Sequence, residues 1–465
     1  MRLRPAFVLL GIWATAAYSQ PFGIETRAQN TTLLITAPAG SATGTPAPQN
    51  LSDIPAFLAA GLEQDQSAAG ILPYRPSTEL WSDGAIKSSF LALPGLAQIT
   101  YRDEGGWDFP DGTSLIKNFR LPIDFRDPGA GDVRVETRLL VKLAGVWRGY
   151  SYQWNEAGTD ATLVGSAGTT RHFDLTETDG TPLSYDWSFP ARSDCTRCHT
   201  TAANRVLGLN TALMNHDFTY PGGIADNQLR TFVHLALFDA PLPAAIDQLP
   251  ASPDAKHDLS ASIEDRTAAY FQANCAMCHR PGGSAPTTID FRWGIDVSAR
   301  ELVGVTPSIS YLGLPDPKRV DAGVPDNSVL YLRMAHRDTN QMPPLATLRV
   351  DTEAVDLVRN WIYSLDPAAN VSADQDADGF ITLSELLRTI QFYNSAGLHC
   401  ASGTEDGYAP GPGADTTCRA NTSDYAPLDW VISLSELLRV IQFYNSGGYH
   451  SCPSDGTEDG FCPGV

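Results

Sequence analysis

Two short segments of the chain repeat one arrangement of cysteine and histidine. They read Cys195-Thr196-Arg197-Cys198-His199 and Cys275-Ala276-Met277-Cys278-His279, and their first cysteines are 80 positions apart. C-x-x-C-H is the attachment signature of c-type haem, because two thiols on one turn can add to the haem vinyl groups while the adjoining imidazole ligates the iron. A zinc site would need a second C-x-x-C pair close by, and a redox dithiol would need a βαβ pattern. We therefore predict two covalent haem c groups. Their attachment residues are Cys195, Cys198 and His199, and Cys275, Cys278 and His279.

The elements around the second motif follow the plan of a small class I cytochrome c. Residues Thr267 to Ala273 predict a helix that leads into the motif, and Thr352 to Leu365 predict another from apolar residues at helical spacing. Between them Met342 is followed by two prolines, whose fixed φ lets a loop present the thioether on a stiff backbone. We predict Met342 as the sixth ligand of this iron. Such His/Met ligation raises the reduction potential and leaves no vacant position for a substrate.

Other side chains compete for the sixth positions. For the second haem the alternatives are Met334, which is more typical of a helix core, and His336, which is more typical of a surface. For the first haem we predict Met214 as the ligand, although it does not lie in a loop like that of Met342. The alternatives to Met214 are His216, His172 and His234.

The last 99 residues contain an internal repeat. Ile381 to Ser395 matches Ile432 to Ser446 at 13 of 15 positions with an offset of 51, which predicts two copies of one supersecondary unit. The first copy begins with the calcium-loop pattern D-x-D-x-D-G-x-I-T-x-x-E, whose ligands are all oxygens. The second copy has Tyr425 and Pro427 at the first and third positions and keeps too few oxygens for a tight site. The predicted ligands of one Ca2+ are Asp374, Asp376, Asp378, the Phe380 carbonyl, Thr382 and Glu385.

Four further cysteines flank two Gly-Thr-Glu-Asp-Gly turns in this tail. Of the three possible connectivities we favour one disulfide in each repeat, which joins Cys400 with Cys418 and Cys452 with Cys462. The tail carries 13 acidic residues against three arginines and has no lysine. These features favour attachment to a surface or to a docking protein over catalysis.

The N-terminus has the pattern of an export signal. Arg2 and Arg4 precede a short apolar run, and Ala17-Tyr18-Ser19 offers a cleavage site. We predict a periplasmic, cell-surface or secreted protein without a transmembrane span, because no later apolar stretch reaches about 20 residues. The net charge of −21 argues against nucleic acid as a partner.

Residues 70–190 contain short alternating apolar runs, such as Val133 to Val141 and Trp147 to Gln153, separated by glycine turns. This pattern predicts antiparallel sheet. We therefore predict a multidomain chain, with a β-rich N-terminal domain ending in a haem c site, an all-α class I cytochrome c-like domain and a small α calcium-loop repeat domain. The predicted boundaries are a signal peptide at 1–19, the β-rich domain at 20–190, the first haem segment at 191–255, the second cytochrome domain at 256–366 and the repeat module at 367–465.

Residues of about 50 to 366 closely resemble a family of exported di-haem c-type cytochromes that often accompany parallel β-helix proteins. Besides both motifs, the matching stretches include Leu80-Trp81-Ser82-Asp83-Gly84, Phe109-Pro110-Asp111-Gly112-Thr113 and Leu207-Gly208-Leu209-Asn210. The resemblance implies a di-haem electron carrier. The tail resembles dockerin-type modules, which implies a protein partner, although its second loop departs from their pattern.

A more distant resemblance links the first region to β-rich mono-haem proteins in which the distal position can stay open and a lysine can be bonded to the haem. It is carried by Phe109 to Thr113 with Lys117, and Lys142 is a second candidate; both are more typical of surface charges. The sequence thus predicts a carrier that moves electrons between redox proteins. The alternatives are a haem enzyme, such as a peroxidase or an oxidoreductase of small nitrogen species, with an open first haem fed by the second, and a surface adaptor whose tail is its main part.

Overall fold

The computed structural model describes residues 20–29, 47–54, 70–308, 311–345, 347–365, 371–375, 380–451 and 457–464. Within these ranges the chain combines antiparallel β-sheet with α-helices, which confirms the predicted mixture of the two. The predicted signal peptide lies outside the described residues. None of the described helices has both the length and the apolar character needed to cross a bilayer.

A six-stranded antiparallel sheet forms the N-terminal part, and strands adjacent in the chain are adjacent in the sheet. Both strand segments named in the sequence analysis lie within β4 and β5. Ala144 and Gly145 connect these two strands with φ values of +48° and +74°, as a two-residue hairpin turn requires. The strands are β1 (Ile71–Tyr74), β2 (Ile86–Ala92), β3 (Ser114–Pro122), β4 (Asp132–Leu143), β5 (Val146–Trp154) and β6 (Ala161–Leu163).

The two faces of this sheet have different surroundings. Ile116, Leu139 and Tyr152 belong to an apolar cluster on one face. Because side chains alternate along a strand, Leu115 and Lys117 of β3 lie on the other face. A separate hairpin of β7 (Thr169–Thr176) and β8 (Pro182–Phe189) leads from the sheet to the first motif.

Short elements follow the sheet, and a helical segment comes after them. The first group contains α1 (Arg192–Cys198), α2 (Thr211–Met214), β9 (Asp217–Thr219), β10 (Ala225–Asn227) and α3 (Gln228–His234); the second contains α4 (Ile263–Asn274), α5 (Val329–Ala335) and α6 (Thr352–Ser364). Phe271 of α4 and Trp361 of α6 meet edge to face, with 5.6 Å between ring centroids, in a cluster that includes Met334. The helix before the second motif begins earlier than predicted, because Ser262 caps a polar first turn that lacks the apolar pattern.

The tail consists of two equivalent units. Helix α7 (Leu383–Asn394) is followed by the hairpin β11 (Leu398–Cys400) and β12 (Tyr408–Pro410), and α8 (Leu434–Ser446) is followed by β13 (Tyr449–Ser451) and β14 (Phe461–Pro463). The sequence predicted a small α repeat module, and the structure adds a short β-hairpin after each helix. In the first unit the Gly-Thr-Glu-Asp-Gly turn at 403–407 comes directly before β12. In each unit the helix arginine holds the aspartate of that turn, Arg388 with Asp406 and Arg439 with Asp459.

The cysteines of the tail bear on the disulfide prediction. The structure joins Cys400 to Cys418, as predicted. Cys462 is also disulfide-bonded, whereas Cys452, its predicted partner, lies outside the described residues. One apolar cluster contains residues of both repeats, so the two units share a core.

Candidate functional site

The first motif lies on α1 and the turn that follows it. The backbone N–H of His199 donates to the Cys195 carbonyl at 2.9 Å, which keeps the imidazole next to the two cysteines. The ring Nδ1 donates to the Arg205 carbonyl at 2.6 Å, so Nε2 is the nitrogen left to act as an acceptor or ligand. Burial lowers the pKa of His199 to about 4, and the imidazole is therefore neutral, the form that binds metals.

The second motif ends α4 in the same local geometry. His279 donates its backbone N–H to the Cys275 carbonyl at 2.9 Å, and its ring packs edge-on to Phe291 with centroids 5.4 Å apart. Its Nδ1 is buried and has no hydrogen-bond partner among the described residues. Burial lowers the pKa of His279 to about 4 and raises that of Cys275 to about 12.

The structure brings the two motifs into contact although 80 positions separate them. The thiols of Cys198 and Cys278 lie within hydrogen-bonding reach of each other, and their shared hydrogen bond lowers the pKa of Cys278. The Arg197 carbonyl accepts a hydrogen bond from Ser284 Oγ at 3.0 Å and lies 3.6 Å from Cys278 Sγ. All four motif cysteines are free thiols. The contact is thus between one cysteine of each motif.

A cavity lies between the two motifs and the face of the sheet that carries Leu115 and Lys117, and we call it the sheet cavity. The centre of a water-sized sphere can occupy about 160 Å3 of this cavity, which is partly open to solvent. Its wall includes Cys195, His199, Lys117, Arg138, Met277 and Arg280.

Lys117 is the unexpected member of this wall, because the sequence favoured a surface position for it. It lies on β3, and burial together with the charge of Lys87 lowers its pKa to about 8. Arg138, its neighbour on β4, forms two 2.8 Å hydrogen bonds to the buried carboxylate of Glu136. Lys117 has no comparable ion pair among the described residues. Lys142 differs again, because its Nζ donates to the Phe109 carbonyl at 2.7 Å.

The predicted ligand Met214 is fully buried in an apolar cluster with Trp107 and Phe232. Among the residues that line the sheet cavity, its neighbour Leu213 is present and Met214 is not. The three histidine alternatives have ring nitrogens engaged elsewhere: His216 with Arg75, His172 with Asp174 and Asp186, and His234 with Glu25. Met277, which the sequence analysis did not consider, supplies a thioether to the cavity wall.

Met342 lies half-buried in a loop that several hydrogen bonds hold. Its N–H donates to the Arg333 carbonyl at 2.8 Å, and the Arg333 guanidinium lies close enough to His279 to lower its pKa. The loop and His279 therefore belong to one region. Of the alternatives, Met334 lies in the helical core and His336 is exposed, the positions that the sequence predicts for them.

Asp83, which is far from this loop in the sequence, holds the residues at the end of the loop through hydrogen bonds. Its buried carboxylate accepts the N–H groups of Leu348 and Arg349 at 2.9 to 3.1 Å and the hydroxyl of Tyr185 at 2.6 Å. This contact gives the Leu80-Trp81-Ser82-Asp83-Gly84 stretch a structural role that sequence reasoning missed. Its only signal was an Asp-Gly pair, which is also typical of an ordinary turn.

The described part of the first predicted calcium loop brings its two ends together. Oε1 of Glu385 accepts the Gln375 N–H at 2.6 Å, and Oε2 accepts the Thr382 N–H and hydroxyl, each at 2.7 Å. Asp374 Oδ2 accepts a hydrogen bond from Tyr449 of the other repeat at 2.6 Å. Phe380 is exposed. Asp376 and Asp378 lie outside the described residues, and in the rest of the described chain no cluster of three or more His, Cys, Asp or Glu side chains is arranged around a metal position.

The second loop is closed by its own chain. Glu436 accepts the N–H groups of Tyr425 and Ala426 at 2.7 and 2.8 Å, as Glu385 does with Gln375. Asp424, which has no counterpart in the first loop, accepts the N–H groups of Asp429 and Trp430. Burial raises the pKa of Asp424 to about 8.

Comparison of the chain with protein-family models, with curated proteins and with solved structures finds no match.

Proposed function

We propose that this protein is an exported di-haem c-type cytochrome that passes electrons between external redox proteins. The observation that carries the proposal is the contact between the motifs, in which Cys198 and Cys278 lie within hydrogen-bonding reach. Two haems held by these motifs would be attached at neighbouring cysteines. A single carrier with adjacent haems can receive an electron at one surface and release it at another.

The residues present fit two covalent haems. Each motif combines free thiols with a neutral histidine, and the first also borders the sheet cavity through Cys195 and His199. Haem supplies reversible one-electron transfer. The chain's own residues attach it, orient it and exclude water. In an exported protein, adjacent thiols such as Cys198 and Cys278 are otherwise prone to oxidation, which favours their occupation by a cofactor.

The experiment is electron paramagnetic resonance of the oxidised protein, produced in a host that matures c-type cytochromes. The matched controls are two double variants, Cys195→Ala/Cys198→Ala and Cys275→Ala/Cys278→Ala, each of which keeps one motif. We expect the wild-type spectrum to differ from the sum of the two variant spectra, because haems in contact interact magnetically. A wild-type spectrum equal to that sum would contradict the proposal.

A second candidate function is a haem enzyme whose first haem has an open distal face. The sheet cavity and Lys117, which forms no ion pair within the described ranges, favour it, because they leave space and a positive charge beside the first motif. Carbon monoxide added to the reduced protein separates the candidates. A change in about half of the haem absorbance would support the enzyme, and no change would support the carrier.

We propose that residues 367–465 bind one Ca2+ through Asp374, Asp376, Asp378, Phe380, Thr382 and Glu385. The contact of Gln375 with Glu385 supports this, because it brings the last predicted ligand close to the first, Asp374. Glu436 makes the equivalent contact in the second repeat, where too few oxygens remain for a tight site. Calcium titration by calorimetry should find one site in the full chain. Glu385→Gln should weaken it at least tenfold, whereas the matched variant Glu436→Gln in the other repeat should leave it unchanged; two equal sites would contradict this assignment.

We propose that the same module docks the cytochrome to a surface or to another secreted protein. Each repeat exposes a pair of leucines four residues apart, Leu383 with Leu387 and Leu434 with Leu438, and each of these side chains is more than half exposed. Exposed apolar pairs of this kind are typical of binding surfaces. Deleting residues 367–465 should release the protein from its location and leave the haem spectra unchanged.

A further inference from the structure

Arg280 follows the second motif directly but reaches towards the first. Its Nη1 donates to the Ala202 carbonyl at 2.8 Å, three residues beyond His199. The side chain lines the sheet cavity and also a small surface pocket with Arg102 and Arg292. The guanidinium therefore lies at the boundary between the cavity and the surface.

Arg280 differs from its two arginine neighbours in that it has no carboxylate. Arg292 pairs with Asp290 at 2.8 Å and with Glu104 at 2.6 Å, and Arg102 pairs with Asp108. Arg280 forms no ion pair among the described residues, and its Nε is buried without a hydrogen-bond partner. The side chain is half-buried, and the charges of Asp290 and Glu104 act on it without forming an ion pair. A buried N–H without an acceptor is costly, so Nε leaves this side chain with a donor to offer an anionic group.

We propose that Arg280 holds a carboxylate of the haem attached to the first motif, so that the second motif contributes a charge to its neighbour's cofactor. This inference rests on the proposed function. A haem in the sheet cavity brings two propionate groups, and the boundary with the surface pocket is where charged groups can stay partly hydrated. The positive charge of Arg280 favours the reduced iron of the first haem and raises its potential.

The test is a redox titration of full-length variants that are matured with haem. Arg280→Gln and Arg280→Met remove the charge in two independent ways. Each variant should lower the reduction potential of the first haem by about 59 mV. For a one-electron couple, this is about a tenfold increase in the oxidised-to-reduced ratio at a given applied potential. The first haem is identified as the one whose potential does not respond to Met342→Ala. Arg280→Lys, which keeps the charge, should restore most of the potential.

The matched control is Arg292→Gln, which removes a neighbouring arginine that already has carboxylate partners. Both potentials should stay unchanged in this variant. Unchanged potentials in the charge-removing Arg280 variants would overturn the inference, and so would an equal shift in Arg280→Lys. Mass spectrometry separates this failure from that of the proposed function: chains that carry both haems with unaltered potentials refute only the role of Arg280, whereas wild-type chains without haem refute both.

Discussion

The two C-x-x-C-H motifs are alike in sequence and differ in what faces them. In both, the histidine N–H donates to the carbonyl of the first cysteine at 2.9 Å. The first motif places Cys195 and His199 on the wall of the sheet cavity beside Lys117, which has no ion pair in the part of the chain that the structure describes. The second motif contributes Met277 to that wall, but it ends a helix packed against α6 and lies near the loop of Met342. Under the proposed function, the local motif would set haem attachment, and the surrounding fold would set the distal side and the potential.

The largest expected effect is loss of haem attachment on substitution of two glycines. Gly283 packs against the backbone of the second motif, and Gly149 packs against a cysteine sulfur of the first. A Cβ on Gly283 would lie 2.1 Å from the Cys278 carbonyl oxygen, and one on Gly149 would lie 2.7 Å from Cys195 Sγ. Gly283→Ala should therefore remove most haem from the second motif, and Gly149→Ala should remove it from the first. Intact mass spectrometry would measure the loss of one haem increment in each variant.

The control for this pair is Gly165→Ala, because a Cβ there has no atom within 4 Å. It should keep both haem increments. If Gly149→Ala and Gly283→Ala also kept both, the close approach at the two motifs would have no role in attachment.

The next effect concerns the sixth ligand. Met342→Ala should lower the reduction potential of one haem by about 59 mV or more, which is at least a tenfold change in the oxidised-to-reduced ratio. The reason is that the thioether, which favours ferrous iron, is lost. Met334→Ala is the matched variant; it should cost about 2–5 kcal/mol in the free energy of unfolding, as core methionines do, and leave both potentials unchanged. Spectroelectrochemical titration and chemical denaturation would measure these results. A potential that responds to Met334→Ala and not to Met342→Ala would reverse the assignment.

The smallest effect should be a pH dependence confined to the first haem. Burial lowers the pKa of Lys117 to about 8. The positive charges of Lys87 and Arg138 also lower this pKa, and the negative charge of Glu79 raises it. Below that pH the charged amine favours ferrous iron, so the potential of the first haem should fall by a few tens of mV as pH rises through about 8. Lys117→Met should abolish this step. A step of equal size in the second haem would contradict the difference between the two regions.

Sequence reasoning identified what depends on neighbours in the chain. The motif turns, the strands β4 and β5, the core position of Met334 and the Cys400–Cys418 disulfide all follow from local patterns and were confirmed. Each repeat also begins its helix with a capping box, at Thr382 and at Ser433. A capping box is a local feature too, because it depends on two residues three positions apart.

What the sequence could not give depends on contacts between distant segments. Nothing in either motif predicts that Cys198 meets Cys278, or that Asp83 holds the loop after Met342. Lys117 had a usable signal, because Leu115, Lys117 and Phe119 alternate on the apolar register of one strand. A lysine at such a position lies on a buried face, and the general preference of lysine for the surface outweighed that pattern.

The central claim is that both motifs hold covalent haem. Intact mass spectrometry of the mature chain from a maturation-competent host tests it most directly. The account predicts the polypeptide mass plus two haem groups, reduced to one in the Cys195→Ala/Cys198→Ala variant. A wild-type mass without any haem increment would contradict it.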